Sequence, residues 1–308
     1  MRIVFMGTPD FAVPCLRVLA KSGHEIAGVF TQPDKPKGRG YKLIPTPVKA
    51  AALEYGIPVF QPVSLRRGDE AEEGLRVLRE LAPELIVVTA YGQILPVEIL
   101  ELPEHGCINI HASLLPEYRG AAPINWVLLN GEKQTGVTSM QMSEGLDTGD
   151  MLIKRATDIG ENETYQELYS RLSVMGGEVL METIAAIENG TISPVVQDDS
   201  LSSYAPMIKK EMSRLDFNKT ASEVHNTIRG VTGFTMLGGK RLKVFASQIS
   251  DNIAPGESGT VADTDRFIVR CGDGRGVQLL EVQPEGGKRM ETAAFLRGKK
   301  LVKGEKLG

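Results

Sequence analysis

Residues 85–111, LIVVTAYGQILPVEILELPEHGCINIH, contain the pattern that decides the fold of this 308-residue chain. The apolar runs Leu85–Ala90 and Cys107–His111 have the length of strands, and a segment with Gly92 and Pro96 separates them. Short apolar runs bounded in this way are typical of strands buried in a sheet. The stretch 85–100 is too interrupted for a membrane span, which needs about 20 apolar residues, so we expect no membrane association.

The same pattern repeats on both sides of this stretch. Further strands are predicted at Arg2–Met6, Glu25–Thr31, Val137–Met142 and Met151–Arg155. Helices are predicted at Pro9–Ser22, Pro47–Tyr55, Arg67–Leu81, Pro123–Leu129 and Glu163–Glu188. Strands that alternate with helices favour the α/β class with right-handed crossovers. The prediction is a Rossmann-like, mostly parallel sheet with helices on both faces.

The sequence pattern changes after Gly190. Residues 190–207 contain many Ser, Asp and Pro residues and are interpreted as a linker. Short strands with Gly-rich turns follow at Leu242–Ser247, Gly259–Ala262, Phe267–Arg270 and Val277–Gln283. Several short strands at such spacing predict a small β-barrel or sandwich. The expected domains are therefore 1–189 and 208–308, joined by the linker 190–207.

Charge is distributed unevenly along the chain. Residues 1–206 carry 17 Lys and Arg against 27 Asp and Glu, a net charge of −10, and residues 207–308 carry 18 against 12, a net charge of +6. Within the acidic part, one segment is basic and interrupted by Pro and Gly, which predicts an exposed loop carrying Lys35, Lys37, Arg39 and Lys42. These features indicate a polyanionic partner, although a solvated loop that happens to be basic is the simpler alternative.

Cysteine and histidine usage limits the chemistry. The three cysteines Cys15, Cys107 and Cys271 are too few and too scattered for a disulfide framework, so we expect a reducing, cytoplasmic location. The four histidines form no HxH or HExxH pattern, so the sequence predicts no metal site. No Walker motif or GxGxxG after the first strand is present.

Three polar residues form a candidate catalytic group. Asn109 and His111 share one face of their strand, because alternate residues of a strand point the same way. Asp147 lies in the glycine-flanked turn Gly145–Asp150, between two predicted strands. Since ligands bind α/β sheets at the carboxyl ends of the strands, an amide, an imidazole and a carboxylate could meet there. Taken singly, each has a structural interpretation: a hydrogen-bonded core histidine or an ordinary Asx turn.

Two loops could hold a ligand near this sheet edge. Tyr91–Pro96 combines apolar side chains with exposed backbone and suits a flat heteroaromatic ring; a loop packed into the core is the alternative. Ser113–Pro116 begins a turn that leads into a helix, and its free amides suit a polar ligand, although most such turns are only connections. Cys107 shares the face of His111, but we expect it to be buried and inert.

These residues resemble the signature of the folate-dependent formyltransferases. Asn109, His111, Ser113–Pro116 and Gly145–Asp150 carry that likeness. The likeness covers nearly the whole chain and is more specifically to members that formylate an initiator tRNA, with matching segments at Phe5–Ala12, Phe30–Asp34, Ala90–Pro96 and Tyr118–Ile124. One departure lies at residues 230–235, GVTGFT, where many members have an Asn/Pro/Trp-rich turn.

The resemblance implies transfer of the formyl group of 10-formyltetrahydrofolate to the α-amino group of methionyl-initiator tRNA. Asn109, His111 and Asp147 would be catalytic, and the second domain would resemble an OB-fold and help hold the tRNA. The basic segment with Lys35, Lys37, Arg39 and Lys42 would lie at the acceptor end. The folate would lie beside Tyr91, Gly92, Ile94, Leu95 and Pro96, and it would be bordered by Ser113, Leu114, Leu115 and Pro116.

Other functions are compatible with parts of this pattern. A formyltransferase acting on glycinamide ribonucleotide or an amino sugar nucleotide would share the site but would not need the basic domain. A nucleic-acid-binding protein with an inactive core would be expected to lack one of the three polar residues, and all three are present. A formyltetrahydrofolate hydrolase would not need a basic surface of tRNA size. We expect a monomer without a metal cofactor.

Overall fold

The computed structural model describes residues 1–37, 42–251 and 253–308. The strands of its larger sheet and of a small hairpin are β1 (Arg2–Gly7), β2 (Glu25–Phe30), β3 (Lys35–Lys37), β4 (Lys42–Ile44), β5 (Val59–Phe60), β6 (Leu85–Thr89), β7 (Cys107–His111), β8 (Gln134–Gln141) and β9 (Met151–Asp158). The helices of the same region are α1 (Val13–Ala20), α2 (Pro47–Glu54), α3 (Asp69–Leu81), α4 (Val97–Leu100), α5 (Pro123–Leu129) and α6 (Tyr165–Glu188).

The larger sheet has the strand order β5-β2-β1-β6-β7-β8-β9. The pairs from β5 to β7 are parallel, whereas β7 pairs with β8 antiparallel, with His111 opposite Thr138. The predicted α/β sheet is therefore confirmed, as a mixed sheet. Parallel pairing places the carboxyl ends of β6 and β7 at one edge, where the polar residues of β7 end.

The core beneath this edge follows from the alternation along the strands. One buried cluster collects residues from alternate positions of β1, β6 and β7, and it includes Val4, Met6, Ile86, Val88 and Cys107. Tyr91 and Leu95, just after β6, belong to the same cluster. Burial of these apolar side chains fixes the faces of the strands, since a shift of one residue would invert every side chain.

The C-terminal region forms a second, antiparallel sheet. Its elements are α7 (Ala221–Val231), β10 (Gly233–Leu237), β11 (Lys240–Ser250), β12 (Val261–Asp263), β13 (Ile268–Arg270), β14 (Gly276–Pro284), β15 (Met290–Glu291) and α8 (Thr292–Gly298). The strand order is β10-β11-β14-β13-β12, and β15 pairs with β14. Isolated bridges join Leu307 to Leu237 and Lys306 to Thr260, so the C-terminal segment reaches both ends of this order. An OB-like barrel is compatible with that arrangement.

The basic segment differs from the prediction of an irregular loop. Lys35–Lys37 and Lys42–Ile44 pair as a short antiparallel hairpin, with Pro36 opposite Leu43. Proline is tolerated at an edge strand because its missing N–H faces away from the partner. The predicted contact residue Arg39 lies outside the described residues.

Contacts divide the chain into two compact units. The first contains Met1–Gly120, Gly136–Thr157 and Tyr169–Tyr204, and the second contains Ala121–Thr135, Asp158–Leu168 and Ala205–Gly308. The second unit thus includes two short segments that precede the C-terminal region in the chain. The domain boundaries 1–189, 190–207 and 208–308 stay a prediction.

Candidate active site

Strand β7 and the β8–β9 loop bring three polar side chains together in the first unit. Asn109 Nδ2 donates to Asp147 Oδ1 at 3.4 Å, and His111 Nδ1 lies 3.7 Å from Asp147 Oδ2. The side chains of His111 and Asp147 are only 6% and 12% exposed. Low exposure strengthens electrostatic interactions between such groups, so the arrangement is suited to proton transfer and to stabilising charge.

The hydrogen bond at Nε2 fixes the tautomer of His111. His111 Nε2 lies 2.9 Å from the backbone oxygen of Tyr118. A carbonyl oxygen can only accept a hydrogen bond, so Nε2 carries the hydrogen and donates it. In the neutral ring, Nδ1 then presents a lone pair towards the Asp147 carboxylate. Two acceptors face each other across 3.7 Å, and a molecule with N–H or O–H groups placed there could donate to both.

The loop that carries Asp147 needs unusual backbone conformations. Asp147 itself has a φ of 53°, in the left-handed region that Asp tolerates better than most residues. A Cβ at Gly149 would lie 1.7 Å from the backbone oxygen of Gln141, so only glycine fits the close approach. The side chain is further fixed because Gly120 N donates to Asp147 Oδ2 at 2.8 Å. The glycines noted in the sequence therefore do turn the carboxylate toward β7.

Several groups at the site were not among the predicted site residues. The backbone oxygen of Tyr118 and the backbone amide of Gly120 contact His111 and Asp147 respectively. Gln197 Nε2 donates to the backbone oxygens of Asp147 and Gly149. Tyr118 and Gly120 lie in the segment Tyr118–Ile124, which is part of the family likeness, but Gln197 lies in the predicted linker, where no sequence signal pointed to the site.

The predicted folate loop after β6 has two kinds of position. Tyr91 and Leu95 are buried in the core cluster, whereas Ile94 is 63% exposed and Gly92, with φ 83°, is exposed as well. Burial raises the pKa of the Tyr91 hydroxyl, which has no hydrogen-bond partner among the described residues. The backbone oxygen of Tyr91 accepts from Thr8 Oγ1 at 2.9 Å. The loop is therefore anchored at Tyr91 and Leu95 and presents Gly92 and Ile94. Pro96 precedes α4 and is half-buried.

The second predicted folate segment is firmly held. Ser113 is fully buried and its Oγ donates to Glu117 O at 2.6 Å, while Thr138 Oγ1 donates to Ser113 O at 2.7 Å. Leu115 is buried in a small cluster of Met residues. Leu114 and Pro116 are half-buried, so they are the members of this segment with side-chain surface to offer.

The base of the basic hairpin is tied down by a partly buried ion pair. Lys49 Nζ lies 2.6 Å from Asp34 Oδ2, and Gln61 Nε2 donates to Asp34 Oδ1 at 2.7 Å. These hydrogen bonds hold the pKa of Asp34 below its usual value. Lys35 is exposed at the start of β3, and Lys37 and Lys42 lie in the paired strands.

The thiol on β7 is buried and poorly nucleophilic. Cys107 is buried, its Sγ donates to Ile99 O, and burial raises its pKa to about 12. A thiol in that state is a poor nucleophile. Across residues 1–37, 42–251 and 253–308, no three His, Cys, Asp or Glu side chains gather in a way that could hold a metal ion. No helix of those ranges has the length and apolar character to cross a membrane.

Comparison with known proteins places the chain. A family model described as formyl transferase matches residues 1–184, and one described as formyl transferase, C-terminal domain, matches residues 207–300. A methionyl-tRNA formyltransferase of Geobacter sulfurreducens is 50% identical, over 100% of this chain and 97% of its own. One from Alkaliphilus oremlandii is 49% identical over 100% of both chains.

Solved structures agree on the fold. WlaRD, a sugar 3N-formyl transferase solved with dTDP and 5-N-formyl-THF, has a TM-score of 0.69 at 22% identity, covering 91% of this chain and 97% of that one. An N-formyltransferase of Helicobacter canadensis in complex with folinic acid and dTDP-3-aminofucose has a TM-score of 0.67 at 21% identity, covering 91% and 98%. With both halves matched in tandem and relatives similar from end to end, the chain belongs to the formyl transferase family.

Proposed function

We propose that this chain transfers the formyl group of 10-formyltetrahydrofolate to the α-amino group of methionyl-initiator tRNA. The full-length relatives at 50% and 49% identity are methionyl-tRNA formyltransferases. The solved neighbours were crystallised with folate derivatives. The observation that carries the proposal is the convergence of Asn109, His111 and Asp147 at the carboxyl end of β7.

The folate donor supplies an electrophilic formyl carbon on its N10, and the exposed Gly92 and Ile94 fit a flat ring beside the loop after β6. Asn109 uses one N–H on Asp147 Oδ1. Its second N–H donates, in this proposal, to the formyl oxygen as negative charge develops there. One preorganised donor of this kind is typically worth about 10²–10³ in rate.

His111 and Asp147 together accept the proton of the attacking amine. With Nε2–H engaged by the Tyr118 carbonyl, the Nδ1 lone pair and Asp147 Oδ2 face the same space. An amine placed there donates to both, and the pair takes up its proton as the new C–N bond forms. The bond between the formyl carbon and N10 then breaks, and the pair returns the proton to N10, which leaves as tetrahydrofolate. The Tyr118 carbonyl holds the tautomer of His111, which leaves the Asp147 carboxylate available as proton acceptor. General base catalysis of this kind raises the reaction rate by a factor of about 10²–10⁴.

A substrate comparison tests the proposed acceptor. Purified protein would be incubated with 10-formyltetrahydrofolate and one of four amines: methionyl-initiator tRNA, methionyl-elongator tRNA, glycinamide ribonucleotide or an amino sugar nucleotide. We expect rapid formylation of the initiator species and at most slow transfer to the small amines. Efficient transfer to a small amine alone would overturn the proposal and favour the sugar-type activity of the solved neighbours.

The basic hairpin gives a second test of the acceptor. Replacing Lys35, Lys37, Arg39 and Lys42 with Ala should weaken tRNA binding and flatten its salt dependence. The slope should fall by about 0.7 for each single-strand phosphate that the variant no longer neutralises. The control is Lys21→Ala, which removes another exposed lysine of the acidic part, residues 1–206. An unchanged slope in the fourfold variant would assign the hairpin another role.

A further inference from the structure

Gln197 lies in the segment 190–207 that the sequence presents as a linker, yet it is only 7% exposed. Its Nε2 donates to Asp147 O at 2.8 Å and to Gly149 O at 2.7 Å. Its Oε1 accepts from Arg119 Nε at 3.0 Å. A buried amide with this many partners in two separate loops is not what a simple connector requires.

The orientation of the Gln197 amide is unambiguous. Two carbonyl oxygens, which can only accept, surround one end, and a guanidinium N–H, which can only donate, faces the other. The side chain therefore uses both of its hydrogens on the Asp147 loop. These two bonds hold the loop while Asp147 has its left-handed φ of 53°. A conformation of that kind persists only where the surroundings enforce it.

The same segment also holds the turn that contacts His111. Ser203 Oγ accepts from Tyr118 N at 2.8 Å, and Ser203 O accepts from Arg119 N at 2.9 Å. The Tyr118 carbonyl is the acceptor of His111 Nε2. Residues 197–203 thus contact both sides of the candidate site, the carboxylate loop through Gln197 and the histidine's acceptor through Ser203.

We propose that Gln197 is a positioning residue for formyl transfer, which sets the Asp147 carboxylate against Nδ1 of His111. This inference rests on the proposed function. When the two donated hydrogen bonds are removed, the carbonyls of Asp147 and Gly149 are left without these donors and the loop relaxes, so Oδ2 leaves its place at 3.7 Å from Nδ1. Misplacing a reacting group by about 1 Å can cost about 100-fold in rate.

The test is a double-mutant cycle between Gln197 and Asp147. Gln197→Met keeps the length of the side chain without its hydrogen bonds, and Gln197→Glu keeps an acceptor for Arg119 but cannot donate to the carbonyls. We expect each to lower kcat about 10- to 100-fold, with KM for folate and for tRNA changed less than about threefold. In an Asp147→Asn background, measured in single turnovers with enzyme in excess, either substitution should cost less than about threefold more.

Additive losses would overturn the inference, since they would mean that Gln197 does not act through Asp147. A loss confined to KM, or a lowered melting temperature with unchanged kcat, would overturn it as well. Thr183→Val is the matched control: it removes a buried hydrogen bond of 2.6 Å to Ser139 in the same unit, so it should lower stability while leaving kcat unchanged. If the wild type formylated only a small amine, the proposed acceptor would be wrong, and the same cycle run with that amine would still decide the role of Gln197.

Discussion

Two histidines of this chain are almost completely buried, and each has its Nε2 beside a backbone carbonyl oxygen, at 2.9 Å for His111 and 3.0 Å for His225. They differ at Nδ1. Ser247 Oγ lies 2.9 Å from Nδ1 of His225 and can donate to it, so both ring nitrogens are paired. Nδ1 of His111 instead faces the carboxylate of Asp147 at 3.7 Å, beyond hydrogen-bond distance.

We propose that this difference separates a structural polar group, at His225, from a catalytic one, at His111. Buried polar groups are normally paired, because an unpaired group costs about 1–3 kcal/mol. His225 lies on α7 and obeys that rule within the second unit, because its ring pairs with the backbone oxygen of Glu161 and with Ser247 Oγ of β11. Nδ1 of His111 has no hydrogen bond among the described residues, and it faces a common space with Asp147 Oδ2, which accepts only from Gly120 N there. In the proposed mechanism, the substrate amine donates to both of these acceptors.

The largest expected effect on activity is at the Asp147 carboxylate, beside Nδ1 of His111. Asp147→Asn should lower kcat by about 10²–10⁴ with little change in KM, because an amide cannot accept the amine proton. Steady-state formylation of methionyl-initiator tRNA measures it. A change confined to KM would mean that Asp147 binds substrate, and the distinction from His225 would lose its basis.

The next effect is at the amide donor beside it. Asn109→Ala should lower kcat by about 10²–10³, since it removes a donor to the developing negative charge. The same assay, with a folding check by circular dichroism, measures it. Normal kcat in a folded Asn109→Ala variant would show that the formyl oxygen is stabilised by some other group.

At His225, whose two ring nitrogens are both paired, we expect a substitution to lower stability without lowering activity. His225→Leu leaves Glu161 O and Ser247 Oγ without their partner, which should cost about 1–3 kcal/mol of the free energy of unfolding. Urea denaturation measures that cost, and kcat for the folded variant should stay within about twofold of the wild type. A large fall in kcat at full folding would place His225 among the functional residues.

The smallest expected effect is the pH dependence of stability. Burial, aided by the positive charge of Arg229, lowers the pKa of His225 below its usual value. The unfolded chain therefore takes up a proton at a higher pH than the folded one. Stability is full above about pH 6.5 and falls as the pH drops below it, by at most about 1.4 kcal/mol per pH unit for one proton. Urea denaturation between pH 7.5 and pH 5 should show this slope in the wild type, and it should weaken in His225→Leu. Equal slopes in the two proteins would contradict the assignment.

Local patterns allowed much of the fold to be predicted. Strands β1, β2, β6 and β7 were predicted to within one residue, because each is a short apolar run of residues that are neighbours in the chain. The pairing of Lys35–Lys37 with Lys42–Ile44 was missed because Pro36 and the neighbouring glycines of the sequence are typical of irregular loops. The sequence also could not show that Tyr91 is buried while Ile94 is exposed, because both are apolar residues of one loop.

By itself the sequence determined the α/β class, the strand that carries Asn109 and His111, and the glycine-flanked turn that carries Asp147, since each depends on residues close together in the chain. Only the tertiary structure decided which nitrogen of His111 is free and what holds Asp147 in place. Gln197 contacts the Asp147 backbone across 50 positions, and a polar side chain in a segment without periodicity gives no sign of its partner. A hydrogen bond between residues far apart in the chain forms only where the packing of the sheet and its loops brings the donor and the acceptor together.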